Sequence, residues 1–567
     1  MPNGMKVKNE YSEWNGMEMP NIAKQDFVFK KHMSVGEADA ENDKQFLESC
    51  FVDIGDFEIL EDTSAPQSIV LGRTGIGKSA LLEQLESNSD RIIRIEPDEL
   101  ALKHISNSTI LSFFEELGVN LDIFYSLLWQ HTLAVELIKH KYNIDCEQAK
   151  SNFMDTLTAM LSGNKKKQQA LDYINEWGDK FWVDTETRIK EFTDKLEAKL
   201  KSSVDASVPG HKISAESGRT LTAEQKSEVI HYGRKVVSSV QIEKLSKIIS
   251  LLAEDIFTDN QKKTYILIDR LDENWVEDGL RYKLIRALIE TIKKFRSIKP
   301  VKIIITLRTD LLDRVLDKTR DSGFQREKYN SLFLQLGWNK SQLMSLLDNR
   351  VDHLLKHKYT GGSVGFSDIF PEKIDKVSSF DYIIDRTLLR PRDAIMFVNS
   401  CLNESQGKTE ITASIIKLAE KSYSVDRIES LKYEWFVEHP MLDKYIDFLH
   451  QRNGSFKVSS ITDEQLDLLI LDLTESPKLN ADIAVKTAHY FMNSQYPASQ
   501  SYMVQLRQNI LYILYKIGVI GIKVDGSSTV KWSNDRTQDL TAKKIESNSI
   551  VYIHKILWRA LAIDKRP

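Results

Sequence analysis

The stretch Ser68–Glu86, SIVLGRTGIGKSALLEQLE, constrains this chain more than any other. Three apolar residues, Ile69, Val70 and Leu71, read as a short buried strand and run into a G-x-x-x-x-G-K-S loop, Gly72 to Ser79. An amphipathic helix is expected to begin near Lys78. Phosphate oxygens need a concave run of backbone N–H groups at a helix N-terminus, where partial positive charge collects. Glycines let the chain close that tightly without a Cβ clash. In such a loop Lys78 reaches the β- and γ-phosphates of a nucleotide, and the Ser79 hydroxyl ligates Mg²⁺. The expected cradle is Gly72, Arg73, Thr74, Gly75, Ile76, Gly77, Lys78, Ser79 and Ala80. An ordinary glycine-rich turn is the bland alternative; strand, loop and helix in this order argue against it.

A nucleotide-hydrolysing site also needs acids at the C-terminal end of another strand. YILIDRLDENW supplies them: the apolar run Tyr265–Ile268 ends in Asp269, and Asp272 and Glu273 follow. Asp269 is expected to hold Mg²⁺, directly or through water, and Asp272 or Glu273 to polarise the attacking water. A solvated acidic turn is the alternative. The next apolar strand, Val301–Leu307, ends in Arg308-Thr309-Asp310. Arg308 is the candidate sensor of the terminal phosphate through charge-assisted hydrogen bonds, set against a structural salt bridge to Asp272 or Asp310. In LLRPRDAI, Pro391 pins a helix start, which leaves Arg392 in a first turn that disfavours a cation unless it faces an anion. Arg390 and Arg392 are therefore candidates to reach back to the nucleotide, with surface exposure the competing reading.

At 567 residues the chain exceeds what one core sustains, so two to four domains are expected. A net charge of −5 excludes a global polycation, so any DNA contact needs a local patch. Cys50, Cys146 and Cys401 form no C-x-x-C pair, which argues against zinc and disulfide frameworks and fits a reducing cytoplasm. MPNGMKVKNEYSEWNG has no apolar h-region, and no run approaches a membrane span, so a soluble cytoplasmic protein is expected.

Along the chain, residues 1–34 read as a loose arm and 35–335 as the P-loop domain, with a helical insertion at about 105–255. Within the insertion, Phe124, Leu127, Leu128, Leu133, Val135 and Leu137 have helical spacing. Trp177 to Ala253 is charged and mostly helical, broken at 204–219. Phe51 and Val52 can flank a base, but core packing is the favoured reading. Residues 336–450 read as a helical lid. In 451–567, helical runs at Asp463–Leu473, Asn480–Met492 and Met503–Ile517 precede VIGIKVDGSSTVKWSN, expected as two strands about an Asp525-Gly526 turn. That order has the shape of a winged helix. This segment holds 15 Lys/Arg against 11 Asp/Glu, an asymmetry that permits DNA contact without requiring it.

With Gly72–Ser79, ILIDRLDE (266–273), IIITLRTD (303–310), LLRPRDAI (388–395) and the C-terminal hairpin in this order, the chain resembles the STAND and AAA-like P-loop ATPases. More narrowly, GEADAEND (36–43), GFQREKY (323–329) and IGVIGIK (517–523) make it similar to a bacterial group found near restriction and anti-phage defence genes. The resemblance implies a three-layer α/β core with a parallel sheet, a helical lid and a winged helix. It implies ATP and Mg²⁺ as ligands, Lys78 on the phosphates, Ser79 and Asp269 on the metal, Asp272 or Glu273 preparing water, and Arg308 as sensor. One departure is the separation of about 190 residues between the phosphate loop and the acidic strand, far more than a βαβ unit needs. The insertion is thus the expected partner or oligomer surface. No N/T-K-x-D motif is present, which favours ATP over GTP.

The leading function is an ATP-hydrolysing conformational switch, the ATPase component of a prokaryotic anti-phage defence system with a separate effector protein. Expected partners are that effector or a sensor protein and further copies of the chain, with DNA through the C-terminal domain and no membrane. The alternative is a DNA-loading or replication/transposition ATPase. A module that holds ATP without turnover is a third reading, and a small-molecule kinase the least supported.

Overall fold

The computed structural model describes residues 28–98, 121–144, 151–152, 155–156, 159, 242–319, 326–356, 363–475, 482–493, 500–533 and 540–564. The N-terminal arm to residue 27, most of the insertion, the 204–219 break and the first half of GFQREKY lie outside them. The chain divides into two compact units.

The first unit comprises residues 36–358 and 387–396. Its sheet is built from β1 (Ile69–Leu71), β2 (Ile92–Ile95), β3 (Thr264–Ile268), β4 (Val301–Leu307) and β5 (Phe333–Gln335). The strands lie in the order β2-β3-β4-β1-β5, and every pairing is parallel. Parallel strands require covered faces, because crossovers lay helices on both sides. The sequence meets that requirement: all seven residues of β4 and all five of β3 are buried. Alternate residues point to opposite faces. Ile69, Leu71, Ile266, Ile268, Ile303 and Ile305 join one core, and Val70, Tyr265, Leu267 and Ile304 join the other. Each such side chain contributes about 1.5–3 kcal/mol by leaving water.

Helices α1 (Lys44–Cys50), α2 (Asp56–Glu61), α3 (Lys78–Ser87), α4 (Asp122–Tyr142), α5 (Asp278–Phe295), α6 (Thr309–Lys318) and α7 (Lys340–Lys356) belong to this unit, as does a helix at Ile242–Leu251. α4 and α5 cover the first face, while Leu60 of α2 and Leu81, Leu82 and Leu85 of α3 cover the second. The result is a three-layer α/β sandwich. α4 is buried nearly all round, including Ser126, Gln130 and His131, as a helix inside a core must be. Its Trp129 Nε1 donates to the Leu284 carbonyl of α5 at 2.9 Å. Phe51 packs against the second core, which is the packing role.

Helix α8 (Pro391–Glu404) begins at the proline that marked it, and residues 387–396 group with the first unit. The second unit comprises residues 1–35, 359–386 and 397–567, of which the described parts include α9 (Ala413–Glu434). Farther along are β6 (Ser455–Lys457), α10 (Asp463–Thr474), α11 (Ile483–Asn493), α12 (Gln500–Ile517), β7 (Ile520–Lys523) and β8 (Ile550–Ile553). These strands form an antiparallel sheet in the order β6-β8-β7.

The expected hairpin needs correction. β7 pairs along its length with β8, some 25 residues farther on, and Lys531 contributes only a bridge to Ile522, closed by two 2.9 Å hydrogen bonds. The turn itself forms, with Asp525 Oδ1 accepting from the backbone N–H groups of Ser527 and Ser528 at 2.8 and 2.9 Å. Beyond it Trp532 packs over Gly521, where a Cβ would lie 2.6 Å from the indole. Packing of that bulky ring over the strand replaces a second run of ladder bonds. Among the described residues no helix is long and apolar enough to cross a membrane.

Candidate nucleotide site

Ligands of open parallel sheets bind beyond the C-terminal ends of the strands. Here β4 lies between β1 and β3, so the ends of these three strands share one edge. Val70 is level with Thr306, and Ile268 is level with Ile305. Asp269, one residue past β3, therefore stands beside Thr306, while the phosphate loop leaves β1 two residues beyond Val70.

The loop turns through Gly75 and Gly77 at φ +75° and +104°, conformations that side chains rarely tolerate. A Cβ at Gly75 would also lie 2.8 Å from Cβ of Arg392. Gly77 caps the N-terminus of α3, which places the helix's first N–H groups at the loop. Lys78 folds back over the cradle, its Nζ donating to the carbonyls of Gly72 and Arg73 at 3.3 and 3.2 Å. Main-chain carbonyls thus occupy an ammonium that a phosphate would claim.

The predicted metal pair comes together. Ser79 Oγ donates to Asp269 Oδ2 at 2.8 Å across 190 residues of sequence. Asp269 is buried, and its other oxygen accepts from the Arg270 backbone N–H at 2.9 Å and from Thr306 Oγ1. A hydroxyl against a carboxylate at a helix N-terminus is a donor set that Mg²⁺ can use. The ion takes few protein ligands and fills its octahedron with water and phosphate oxygens. Among the described residues no group of three or more His, Cys, Asp or Glu forms a protein cage for a metal, which such a site does not need.

Asp272 and Glu273 follow on the loop after β3, with side chains 38% and 63% exposed. Burial pushes the Glu273 carboxyl above its ordinary range, Arg270 pulls it back, and Asp272 and Asp269 raise it again. Arg270 adopts φ +57°, unusual for a side chain of its size, and pairs with Glu41 through both Nε and Nη2. Arg308 forks onto Asp310 at 3.0 and 2.9 Å and stands 4.0 Å from Asp272. In this geometry the guanidinium is the structural salt bridge weighed against a sensor.

Neither candidate arginine of the 388–395 segment is a bare surface residue. Arg390 is 1% exposed and donates to the Thr74 carbonyl at 2.9 Å. The Arg392 backbone N–H donates to the Gly75 carbonyl at 3.3 Å, and its Nε to the Ala38 carbonyl at 3.0 Å. Both brace the loop's backbone. Sequence reasoning missed Trp338, whose indole Nε1 holds the Ile76 carbonyl at 2.8 Å, and Thr306. The hydroxyl inside IIITL was the available signal for Thr306, a polar group in a strand buried on both faces.

A family model of the FunZ-associated C-terminal helical domain matches residues 341–432, a stretch that covers α8 and nearly all of α7 and α9. The chain is 22% identical over 554 residues to the "putative transposon gamma-delta 80.3 kDa protein" of Escherichia coli strain K12, covering 95% of this chain and 68% of that one. It also aligns with the Walker-type ATPase of Pyrococcus abyssi at 13% identity, over 86% of this chain and 94% of that chain. The TM-score of 0.33 is too low for that likeness to carry an argument. The glycine-rich loop after β1, the acid at the tip of β3 one strand removed, and the parallel sheet order are consistent with a P-loop NTPase core.

Proposed function

We propose that the protein binds and hydrolyses ATP as a P-loop conformational switch. The single observation carrying this reading is the 2.8 Å contact between Ser79 and Asp269, which joins phosphate loop and acidic strand at one point. Lys78 exchanges the carbonyls of Gly72 and Arg73 for phosphate oxygens, and the α3 N-terminus supplies backbone donors. Ser79 and Asp269 would hold Mg²⁺, which when bound neutralises charge on the phosphate oxygens. Asp272 or Glu273 orients the attacking water and takes its proton. Glu273's carboxyl is shifted upward by burial and by the neighbouring Asp272 and Asp269, the direction that makes it a stronger base. Arg308 reaches the terminal phosphate only by leaving Asp310, an exchange that would tie the state of β4 to the nucleotide.

A switch responds to ATP only through a difference in affinity between its states. Arg390 and Arg392 already hold loop carbonyls, so a change in the loop is felt at the start of α8. Purified full-length protein should hydrolyse ATP with Mg²⁺, and Lys78→Ala should abolish binding or turnover. Wild-type hydrolysis by Lys78→Ala would remove the site assignment.

The process this switch serves has two readings. In one, it is the ATPase of a prokaryotic anti-phage defence system, forming oligomers and acting on a separate effector protein. In the other, it is a DNA-loading or transposition ATPase. The name of the Escherichia coli relative favours the second, and α10–α12 followed by β7 and β8, with β6 paired to β8, support a winged helix able to take DNA. DNA-stimulated hydrolysis that weakens steeply as salt rises selects the second. An ATP-dependent complex with a neighbouring gene product, indifferent to DNA, selects the first.

A further inference from the structure

Arg281 stands in the first turn of α5, where the helix dipole disfavours a cation, and it is only 2% exposed. Burying a guanidinium is costly unless its donors are satisfied. The compensation comes from the acidic loop. Nη1 donates to the Glu273 carbonyl at 2.7 Å, the Asp272 carbonyl at 3.3 Å and Asn274 Oδ1 at 3.0 Å. Nη2 donates to Asp278 Oδ1 at 2.6 Å. Two of those acceptors are the main-chain carbonyls of the two candidate water-polarising residues, whose carboxylates stay open to solvent. A second pin lies beside it: buried Trp275 donates its indole N–H to the Leu271 carbonyl at 3.1 Å.

We propose that Arg281 is a positioning residue for hydrolysis: its Nη1, steadied by the Nη2 contact to Asp278, fixes the peptide planes of Asp272 and Glu273, and so the direction from which their carboxylates meet the attacking water. The proposal rests on the ATPase reading above. Arg281 makes its contacts with the acidic loop and Asp278 rather than with the phosphate loop, so its work falls on turnover and not on nucleotide binding. The planar fork matters because it holds Nη1 on the loop acceptors while Nη2 is anchored on Asp278, two directions fixed together that a lysine's single ammonium does not reproduce. Displacing a catalytic group by about 1 Å costs on the order of 100-fold in rate.

The test uses the full chain and compares Arg281→Met, Arg281→Lys and Asn274→Ala by steady-state ATP hydrolysis, titration with a fluorescent Mg·ATP analogue, and thermal melting. For Arg281→Met the expected result is a kcat about 100-fold down with the analogue's affinity within about threefold of wild type. Arg281→Lys should recover part of that loss, and Asn274→Ala should lose least. Affinity falling in step with kcat, or kcat within about twofold of wild type in a folded Arg281→Met, overturns the proposal. If Arg281→Met does not fold, the same split is read on Arg281→Lys. Lys78→Ala separates the two claims. Hydrolysis by the unaltered chain, together with loss of analogue binding in Lys78→Ala, upholds the ATPase reading whatever Arg281 does, and an unaltered chain that never hydrolyses ATP removes both.

Discussion

The two ends of the same strands carry buried polar groups that are satisfied in different ways. At the N-terminal edge, Lys302 of β4 donates to the carbonyls of Ile59 and Asp62 at 2.6 and 2.7 Å. Beside it, Tyr265 of β3 donates to the Glu61 carbonyl at 2.6 Å, so both close the C-terminal end of α2. At the C-terminal edge, Ser79, Thr306 and Asp269 satisfy one another through side chains, and Lys78 rests on its own loop. Main-chain carbonyls locked in a helix end cannot be exchanged without unravelling it. Side-chain partners can be exchanged for a ligand by rotation. The first edge is built for stability and the second for exchange, although the strands between them are equally buried.

The largest effect that separates the edges is expected from Lys78→Ala and Ser79→Ala. Turnover should fall by about 1,000-fold or more, because phosphate and metal contacts supply most of the stabilisation of the transferring group. The melting temperature should stay near wild type, and calorimetry beside a phosphate-release assay checks both. Next in size, Glu273→Gln or Asp272→Asn should lower kcat by about 100- to 10,000-fold while ATP still binds. The variant that accumulates bound ATP identifies the base, and wild-type kcat in both variants would remove both acids from that role.

The remaining predictions lie at the other edge. Burial, opposed by Asp62 and reinforced by Arg296 and Lys263, pushes the Lys302 amine down from 10.5 to about 8. Between these values the unfolded chain holds more protons than the folded one, so this group makes stability rise with pH from about 8 to 10.5. Stability from this group is fully present above the unfolded value and is lost as pH falls through the folded one. Lys302→Met should remove that rise in urea titrations run at pH 7.5 and 10, whereas an unchanged pH slope in the variant contradicts the assignment. Smallest of all, Tyr265→Phe should cost about 0.5–1.5 kcal/mol, one net hydrogen bond, with ATP turnover unaltered.

Much of the exchangeable edge was legible because its chemistry is local. Gly72–Ser79 and the apolar run into Asp269 are contiguous, and β1 and β4 have the bounds their hydrophobic runs predicted. What escaped depends on partners distant in sequence. Trp338 reaches Ile76 across 262 residues and Arg270 reaches Glu41 across 229, and no period or propensity encodes such meetings. Arg308 shows the same limit at short range. Both a phosphate and Asp310, two residues away, satisfy a guanidinium, and only the folded geometry shows the fork on Asp310. The hairpin misled because a turn at Asp525-Gly526 fixes the reversal but not which later strand completes the sheet.

The central claim is that Ser79 and Asp269 act as one metal site, and a double-mutant cycle on the Mg²⁺ dependence of ATP hydrolysis tests it most directly. The full chain, Ser79→Ala, Asp269→Asn and the double variant would be titrated with Mg²⁺ at saturating ATP. The account predicts that each single change raises the half-saturating Mg²⁺ by about 10-fold or more and that the double variant is scarcely worse than either. Independent, multiplying losses, or a wild-type Mg²⁺ requirement in Asp269→Asn, would contradict it.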